Sequence, residues 1–358
     1  MMGKRQEKIL VGMSGGLDSS VAAALLVQKG YHVTGVTMKT WAGGDVPIGP
    51  GHGCYGPGEE EDIEDARKVA KKLGIDCCVI DLSAEFKNEV LDYFCREYKC
   101  GRTPSPCLVC NSRIKFGRLL AAAAESGIEF DYFATGHYAR CERDPHSGRY
   151  LLKKGKDLRK DQSYFLAFLK QEQLARIMFP LGGHTKREAR SIASELDLEV
   201  RDKPESQDFI GFDYHAILED MPSGPITDAG GKRLGNHRGL GLYTVGQRKG
   251  LDLSGGPYYV TRIDAETNTV IVGRKEDLLR SSLVASRLNW IAIERPSESM
   301  KLTARIRYQH AGAEAEIVPL DRDRVKVRFT SPQSAIAPGQ AIVFYDGSTV
   351  IGGGIIES

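Results

Sequence analysis

The segment Ile9 to Val21, ILVGMSGGLDSSV, constrains this chain more than any other. Ile9-Leu10-Val11 is a continuous apolar run that predicts a buried strand. Ser14, Gly15 and Gly16 then let the backbone turn tightly and approach a ligand with no Cβ in the way. After Asp18-Ser19-Ser20 the run from Val21 to Leu26, rich in alanine, predicts a helix with Ser and Asp where an N-cap belongs. A strand, a Gly-rich turn and a helix N-terminus together make an anion site. Unpaired N–H groups and the positive end of the helix dipole both point at the turn.

This turn lacks the Gly-Lys-Ser/Thr ending of a P-loop and the G-x-G-x-x-G of a dinucleotide binder. What it contains is Ser-Gly-Gly-x-Asp-Ser-Ser. On those residues it resembles the pyrophosphate loop of the ATP-pyrophosphatase family. The resemblance implies cleavage of ATP between its α and β phosphates and adenylation of a substrate oxygen.

Length and composition set outer bounds. The 358 residues give room for two or three domains, and 41% hydrophobic with 27% charged residues is the balance of a soluble globular chain. No apolar run approaches the roughly 18 residues of a membrane span, so no membrane partner is expected. The start, MMGKRQEK, leads straight into the first strand and predicts no secretory signal. A net charge of +2 neither announces nor excludes a nucleic acid, because a local patch can carry that role. All eight cysteines lie at or before Cys141, in the same part of the chain as the anion loop. That is unlike a secreted disulfide scaffold and predicts a reducing, cytoplasmic setting.

Along the chain, Tyr31 to Met38 reads as a second strand and Thr40 to Gly58 as a long irregular segment holding Cys54. Glu59 to Leu73 carries acids first and lysines last, as a helix dipole favours. Cys77 to Leu82 is a third strand, Ala84 to Tyr98 a helix, and Tyr132 to Thr135 a short strand running into Gly136-His137. Asp161 to Leu169 and Lys186 to Leu196 read as helices. Strands alternating with helices predict an α/β fold with an open, mostly parallel sheet. Ligands in such sheets lie beyond the carboxyl ends of the strands, which gathers Ser14 to Ser19, Met38, the Thr40–Gly58 loop and Gly136-His137 around one crevice. A linker is expected around Lys203-Pro204-Glu205. Short strands then recur at Tyr258 to Ile263, Thr269 to Val272, Leu302 to Tyr308, Ala313 to Val318, Arg324 to Phe329 and Ala341 to Tyr345. The expected division is a catalytic domain over 1–203, a small β-rich domain over 204–280 and an antiparallel β-barrel over 281–358.

Cys107 to Lys115, CLVCNSRIK, follows a Thr-Pro-Ser-Pro approach, and its helix is expected to begin near Asn111. A thiol at a helix N-terminus is expected to have a lowered pKa and thus more nucleophilic thiolate. One Cys-x-x-Cys alone also suits a metal site or a redox pair.

The loop above, GRTPSPCLVCNSRIKFG, ATGHYAR, KDQSYFL, ESQDF, TVGQRKGL and PGQAIVFY occur in the order seen in the tRNA-specific 2-thiouridylases. The chain resembles that family over nearly its whole length. The resemblance implies an enzyme that replaces the C2 oxygen of a wobble uridine in tRNA with sulfur. ATP would be held by Gly12, Met13, Ser14, Gly15, Gly16, Leu17, Asp18 and Ser19, with Met38 and Gly136 on the nucleotide. Ser105, Pro106 and Cys107 would lie by the target base, and His137, Lys160, Asp161, Gln162, Arg307, Tyr308 and Gln340 would touch tRNA. A uracil C2 carbonyl has no leaving group, and transfer of AMP from ATP to its oxygen supplies one. Mg²⁺ and the glycine loop would neutralise the pyrophosphate released. Cys110 matches the family's first essential cysteine, and Cys107 often replaces an Asp there.

Most of the family carries a second essential cysteine in a Ser-Gln-Asp-x-Cys-Phe pattern. That cysteine receives persulfide sulfur from a relay and pairs with the first as sulfur is released. This chain reads Glu205-Ser206-Gln207-Asp208-Phe209-Ile210-Gly211, and no cysteine follows Cys141. Two repairs are open. In one, Cys107, Cys110 and a third thiolate hold a [4Fe–4S] cluster with one iron free for sulfide. Cys54 is the favoured third ligand, with Cys100 its rival. In the other, Cys107 takes over from the missing cysteine and pairs with Cys110. The sulfur donor would be a persulfide relay protein or free sulfide.

Other residues have plainer readings. Cys77, Cys78, Cys95 and Cys141 suit small buried hydrophobes. Asp161 suits an N-cap, and His137 a core histidine satisfied by backbone. Arg305 and Arg307, two apart, would share one face of a strand, which fits solvent or an RNA backbone. Two other functions compete: an ATP pyrophosphatase that adenylates a small metabolite, and a tRNA-binding homologue that has lost sulfur transfer. The reactive cysteines and the barrel argue against the first, and the intact loop against the second.

Overall fold

At the centre of the N-terminal sheet lies β1 (Lys8–Gly12), whose three central residues are almost wholly excluded from solvent. The computed structural model describes residues 6–44, 53–203, 208–212, 217–218 and 221–357. They fall into two compact units, the first made of residues 1–90, 107–213 and 348–350, the second of 91–106, 214–347 and 351–358. Pro204 and Glu205 of the expected linker, and Ser206 and Gln207 beyond it, lie outside the described residues.

In the first unit β1 leads into α1 (Leu17–Gln28), β2 (His32–Lys39), β3 (Gly53–Tyr55), α2 (Glu59–Leu73) and β4 (Asp76–Asp81). Next comes a continuous helical run. It starts with α3 (Ser83–Phe86), passes through a π-helical turn over 87–91, and ends in α4 (Asp92–Lys99), which belongs to the second unit. After it stand α5 (Pro106–Val109), a π-helical stretch Cys110–Arg118 and α6 (Leu119–Glu125). Then follow β5 (Tyr132–Ala134), the hairpin β6 (Ala139–Arg143) and β7 (Tyr150–Lys154), α7 (Gln171–Leu174), β8 (Ile177–Met178) and α8 (Lys186–Glu195). The main sheet has the order β4-β2-β1-β5-β8, and every neighbouring pair is parallel. The order reverses on either side of β1, so a crevice opens beyond its carboxyl end, between β1 and β5.

Helix α1 is buried on nearly every side, with Val21, Ala22 and Ala23 fully enclosed. Its alanines let sheet and helices close in on both faces, and Ala189, Ala193 and Leu198 share its core. Helix α2 shows the expected polarity, four acids in its first turn and two lysines in its last, and ends at Gly74 with φ +68°.

A second, two-stranded sheet pairs β3 in parallel with β9 (Asp208–Ile210). The Thr40–Gly58 segment is therefore not irregular throughout. Three residues are too short a strand to read from sequence, and aromatic packing fixes this one. Tyr55 stacks on Phe86 at 5.1 Å between ring centroids, meets Trp41 edge-on at 4.9 Å, and Phe209 stacks on Phe86 at 6.0 Å.

In the second unit, β10 (Gly224–Thr227), β11 (Arg233–His237), β12 (Tyr259–Asp264) and β13 (Thr269–Gly273) form a sheet in the order β11-β10-β13-β12. The remaining strands are β14 (Leu279–Trp290), β15 (Met300–Arg305), β16 (Ala313–Pro319), β17 (Val325–Ser334), β18 (Ala341–Asp346) and β19 (Thr349–Ile356). They follow one another around a ring in the order β14-β17-β16-β15-β18-β19, and β14–β19 pairing closes it into an antiparallel barrel. Ile317, Val327, Ile342 and Phe344 fill its interior. The expected α/β domain followed by β-rich parts and a terminal barrel is what the chain forms.

Several local expectations shift. The helix carrying the Cys-x-x-Cys starts at Pro106, not near Asn111, because proline is at home in a first helical turn. Asp161 to Leu169 yields only a 3-10 turn over Ser163–Leu166. Arg305 ends β15 and Arg307 lies beyond it, so the two do not share a strand face.

Candidate active site

The turn after β1 is held in shape by its own hydroxyls. Ser19 Oγ accepts from Ser14 N at 3.1 Å and donates to Gly16 O at 3.1 Å, and Ser20 Oγ donates to Gly16 O at 2.8 Å. Gly16, and not the Ser and Asp expected there, caps α1 in an extended conformation. The helix starts at Leu17, so Asp18, Ser19 and Ser20 lie inside it, and the lack of a side chain on the cap leaves the first N–H groups for a ligand. Gly15 has φ +66°, and a Cβ there would stand 2.1 Å from Asp62 O. The loop thus lies directly on the first turn of α2. On the other side a Cβ on Gly136 would reach within 2.6 Å of the Asp18 carbonyl carbon and 2.7 Å of Ser19 N. Only glycine permits either approach.

Met13 and Leu17 send their side chains into the core, so they can serve a nucleotide only through their backbones. Ser14 is exposed, and Met38 is half-buried near the carboxyl end of β2.

Asp18 is gripped from two sides. Lys186 Nζ donates to both carboxylate oxygens at 2.8 and 2.9 Å, and the Tyr138 hydroxyl donates to Oδ1 at 2.8 Å. Lys186 begins α8 with its side chain only 8% exposed. Its backbone N–H donates to Asp157 Oδ2 at 3.1 Å. Gln162 fastens Tyr138 in turn, its Oε1 accepting from Tyr138 N at 2.9 Å. Asp161, 3% exposed, accepts from Ser163 N and Ser163 Oγ at 3.0 Å each; it stands one residue before Gln162, which is the N-cap of the 3-10 turn, so it is not the N-cap expected from sequence. Sequence reasoning missed Lys186 and Tyr138. Tyr138 sits in ATGHYAR, but only the fold brings it to Asp18, 120 residues away.

Cys107 and Cys110 lie one turn apart at the start of their helix, both half-buried. Burial pushes Cys107 up to about 12 and Cys110 up to about 11. The expectation of lowered thiol pKa values is therefore corrected: removal from water outweighs what a helix start and a cation supply. That cation is Lys115, which favours the thiolate at Cys107, Cys110 and Cys54 alike. It too was passed over in sequence. Cys54 and Cys110 each push Cys107 further up, so the three thiols form one electrostatic neighbourhood. Cys54 is exposed at its surface, yet surrounding protein raises its pKa as well. Among the described residues, no three His, Cys, Asp or Glu side chains converge as metal ligands.

His137 Nδ1 is 2.7 Å from Thr135 Oγ1, and its ring packs between Phe116 and Phe179. Burial, then the charge of Lys115, hold its pKa well below the ordinary value, so it is neutral at pH 7. Lys160 is half-buried.

In the second unit Ser105 is 6% exposed, and its Oγ accepts from Ala341 N at 3.1 Å. Pro106 opens α5. Gln340 Nε2 donates to Pro104 O at 2.9 Å. Arg307 is exposed, donating from Nη1 to Ser334 O at 3.2 Å, and Tyr308 is half-buried. Arg305 is spent on the carbonyls of Tyr308 and His310. Cys100 ends α4 in this unit, exposed.

A parallel α/β domain with a Ser-Gly-Gly-x-Asp-Ser turn at its switch point defines a nucleotide-binding domain of the HUP class. A family model described as the tRNA methyl transferase HUP domain matches residues 7–212. A tRNA methyl transferase PRC-barrel domain matches 214–274, and an aminomethyltransferase beta-barrel domain matches 280–356. The tRNA-specific 2-thiouridylase MnmA of Endomicrobium trichonymphae is 48% identical over 357 residues, covering 98% of each chain. MnmA 1 of Caldanaerobacter subterraneus subsp. tengcongensis is 48% identical over 367, and MnmA of Treponema denticola 46% over 368, again with 98% of each chain covered. The chain belongs to the tRNA-specific 2-thiouridylase family. One solved structure, a 4-thiouridine synthetase–RNA complex with bound ATP, aligns with TM-score 0.34 and 18% identity over 60% of this chain and 49% of that chain, too weak a likeness to carry an argument.

Proposed function

We propose that this protein uses ATP to replace the C2 oxygen of the wobble uridine of tRNA with sulfur. The observation that carries the reading is the union, in one unit, of an open pyrophosphate-type turn with a neighbourhood of three thiols and a lysine. Full-length relatives named tRNA-specific 2-thiouridylases support it.

ATP would sit with its phosphates on the N–H groups of residues 12–19 and its base toward Met38 and Gly136. Mg²⁺, when bound, would be held by Asp18 and would offset charge on the departing pyrophosphate. Lys186 keeps the Asp18 carboxylate aimed, and Tyr138 fixes its orientation. Neutral His137 can accept or donate a hydrogen bond near the base without adding charge. Transfer of AMP to the uracil O2 turns that oxygen into a leaving group. A sulfur nucleophile held at Cys107 and Cys110 then attacks C2 and expels AMP. The high thiol pKa values keep both cysteines protonated at neutral pH, and Lys115 is the cation that favours the thiolate at each.

This reading takes the sulfur as a persulfide; the alternative, a [4Fe–4S] cluster on Cys54, Cys107 and Cys110, would place each thiolate on a different iron. Ser105, Pro106, Lys160, Arg307, Tyr308 and Gln340 are proposed tRNA contacts. The division 1–203, 204–280 and 281–358, a persulfide or sulfide donor and a cytoplasmic setting belong to the same reading. No helix is long and apolar enough to cross a membrane among the described residues.

The test is release of AMP and pyrophosphate with and without tRNA, joined to detection of 2-thiouridine by nucleoside mass spectrometry. Dependence of AMP release on tRNA, with 2-thiouridine at the wobble position, is the expected result. AMP released equally without tRNA would instead favour a small-metabolite substrate.

A further inference from the structure

Three thiols share the first unit with the Ser-Gly-Gly turn, but they are not equivalent. Cys107 and Cys110 are half-buried on a helix, whereas Cys54 is exposed on β3. The register of β3 against β9 sets Gly53 opposite Asp208 and Tyr55 opposite Ile210, which leaves Cys54 between them, beside Phe209. Ile210 stands where the Ser-Gln-Asp-x-Cys pattern has its cysteine, and its side chain is 7% exposed and apolar. Cys54 is thus carried on the strand that runs alongside the position where a thiol is missing.

The placement is built. A Cβ on Gly53 would lie 2.1 Å from Gly211 N, so only glycine lets β3 press onto the end of β9. Gly211 N donates to Tyr55 O at 2.9 Å. Tyr55 is anchored between Trp41 and Phe86, and Phe86 also holds Phe209 of the partner strand.

Sulfur transfer to an activated carbonyl needs two thiols with different duties. One must be open to an incoming donor and carry the sulfane sulfur. The other must release that sulfur by attacking the carrier. The geometry points to Cys54, on the exposed face of β3 opposite to buried Tyr55 and Ile210, as the carrier, and to Cys110 as the thiol that releases the sulfur. This rests on the tRNA-thiolation reading above and gives Cys54 a role that it leaves open.

A persulfide donor first passes a sulfane sulfur to Cys54 and leaves as a thiol. The outer sulfur of the Cys54 persulfide attacks C2 of the adenylated uracil, and AMP departs with the C2–O electron pair. The Cys110 thiolate, its proton lost to water, attacks Cys54 Sγ. The bond from that Sγ to the transferred sulfur breaks, and its electron pair goes to the sulfur on C2. N3 regains the proton it lost on adenylation, giving 2-thiouracil. The sulfane sulfur has been reduced by two electrons, and Cys54 and Cys110 have been oxidised to a disulfide. A dithiol reductant must reopen that disulfide before the next turnover.

The test uses the full-length protein, purified anaerobically, with tRNA, ATP and glutathione persulfide as donor and no dithiol. After one turnover, free thiols are alkylated and peptides are mapped by mass spectrometry. The expected result is a Cys54–Cys110 linked peptide in proportion to 2-thiouridine formed. Cys54→Ser and Cys54→Ala should lose at least a hundredfold in thiolation while keeping the tRNA-dependent pyrophosphate release of the adenylation step, which also reports that they fold. Cys141→Ser should keep both activities. A linked peptide joining Cys107 to Cys110 alone, or a Cys54 variant that thiolates normally, overturns the proposal and leaves the enzyme reading standing. Four irons and four acid-labile sulfides per wild-type chain, lost on changing Cys54, would also overturn it, by making Cys54 a cluster ligand. Absence of tRNA-dependent AMP release in the unaltered protein would overturn the underlying reading itself.

Discussion

Lys186 Nζ bridges both oxygens of Asp18 at 2.8 and 2.9 Å, although 168 residues separate the two in sequence. The bridge ties the first residue of α8 to the first turn of α1 and fixes a carboxylate where the turn after β1 passes into that helix. A cation this well buried is retained only because it has a partner.

Replacing it should therefore have two effects. Lys186→Met is expected to cost about 2 kcal/mol of stability, less than a fully buried pair would because Asp18 keeps some contact with water. Urea unfolding checks this. ATP-dependent AMP release should fall by more than tenfold, and Lys186→Arg should recover part of the stability but little of the rate.

Tyr138→Phe removes one charge-assisted hydrogen bond, worth about 1.5–3 kcal/mol where the acceptor is ionised. Its expected signature is a loss in AMP formation with tRNA affinity unchanged. A filter-binding assay beside a pyrophosphate assay separates the two.

Gly136→Ala places a methyl group against the backbone of Asp18 and Ser19, atoms that cannot swing aside. Overpacking of this kind costs about 1–3 kcal/mol. Loss of ATP binding by calorimetry, larger than that seen for an alanine at the open position Gly183, is the outcome expected.

Thiol chemistry should show an alkaline profile. Cys107 and Cys110 rise from an ordinary value of 9.0 to about 12 and about 11, with burial the largest cause. In the free protein their alkylation by iodoacetamide should climb through pH 9 and above, well beyond an exposed thiol. The folded state then holds protons that the unfolded state has already released. Stability is accordingly lost as pH rises from about 9 toward the folded values.

His137 works in the opposite sense. Its folded pKa is depressed, so below the ordinary 6.5 the unfolded chain takes a proton that the folded one refuses. Stability falls as pH drops through that range. The Cε1 proton of His137 should keep its neutral chemical shift at pH 6, where an exposed histidine has moved.

The parts legible in sequence are those whose cause is local. The run Ile9 to Val11, the Ser-Gly-Gly turn and the alanines after it determine strand, turn and helix within twenty residues, and β1 and α1 form there. Glu59 to Leu73 states its own polarity and forms α2 with those bounds. What was hidden depends on distant partners. Lys186 reads as an ordinary solvated residue at a helix start until α8 packs on α1. The strand Gly53–Tyr55 has no propensity signal, and only its pairing with residues 208–210 defines it. The thiols at 107 and 110 look activated beside a helix start, but burial is a property of the whole fold and reverses the sign.

The barrel closes through pairing of its first strand, Leu279–Trp290, with its last, Thr349–Ile356. During synthesis the ring cannot be completed until that last segment has left the ribosome. Until then β14 and β18 each present a bare hydrogen-bonding edge, the kind of surface that recruits other nascent chains. The time between emergence of the first barrel strand and arrival of the last is thus the interval in which this chain most needs a chaperone.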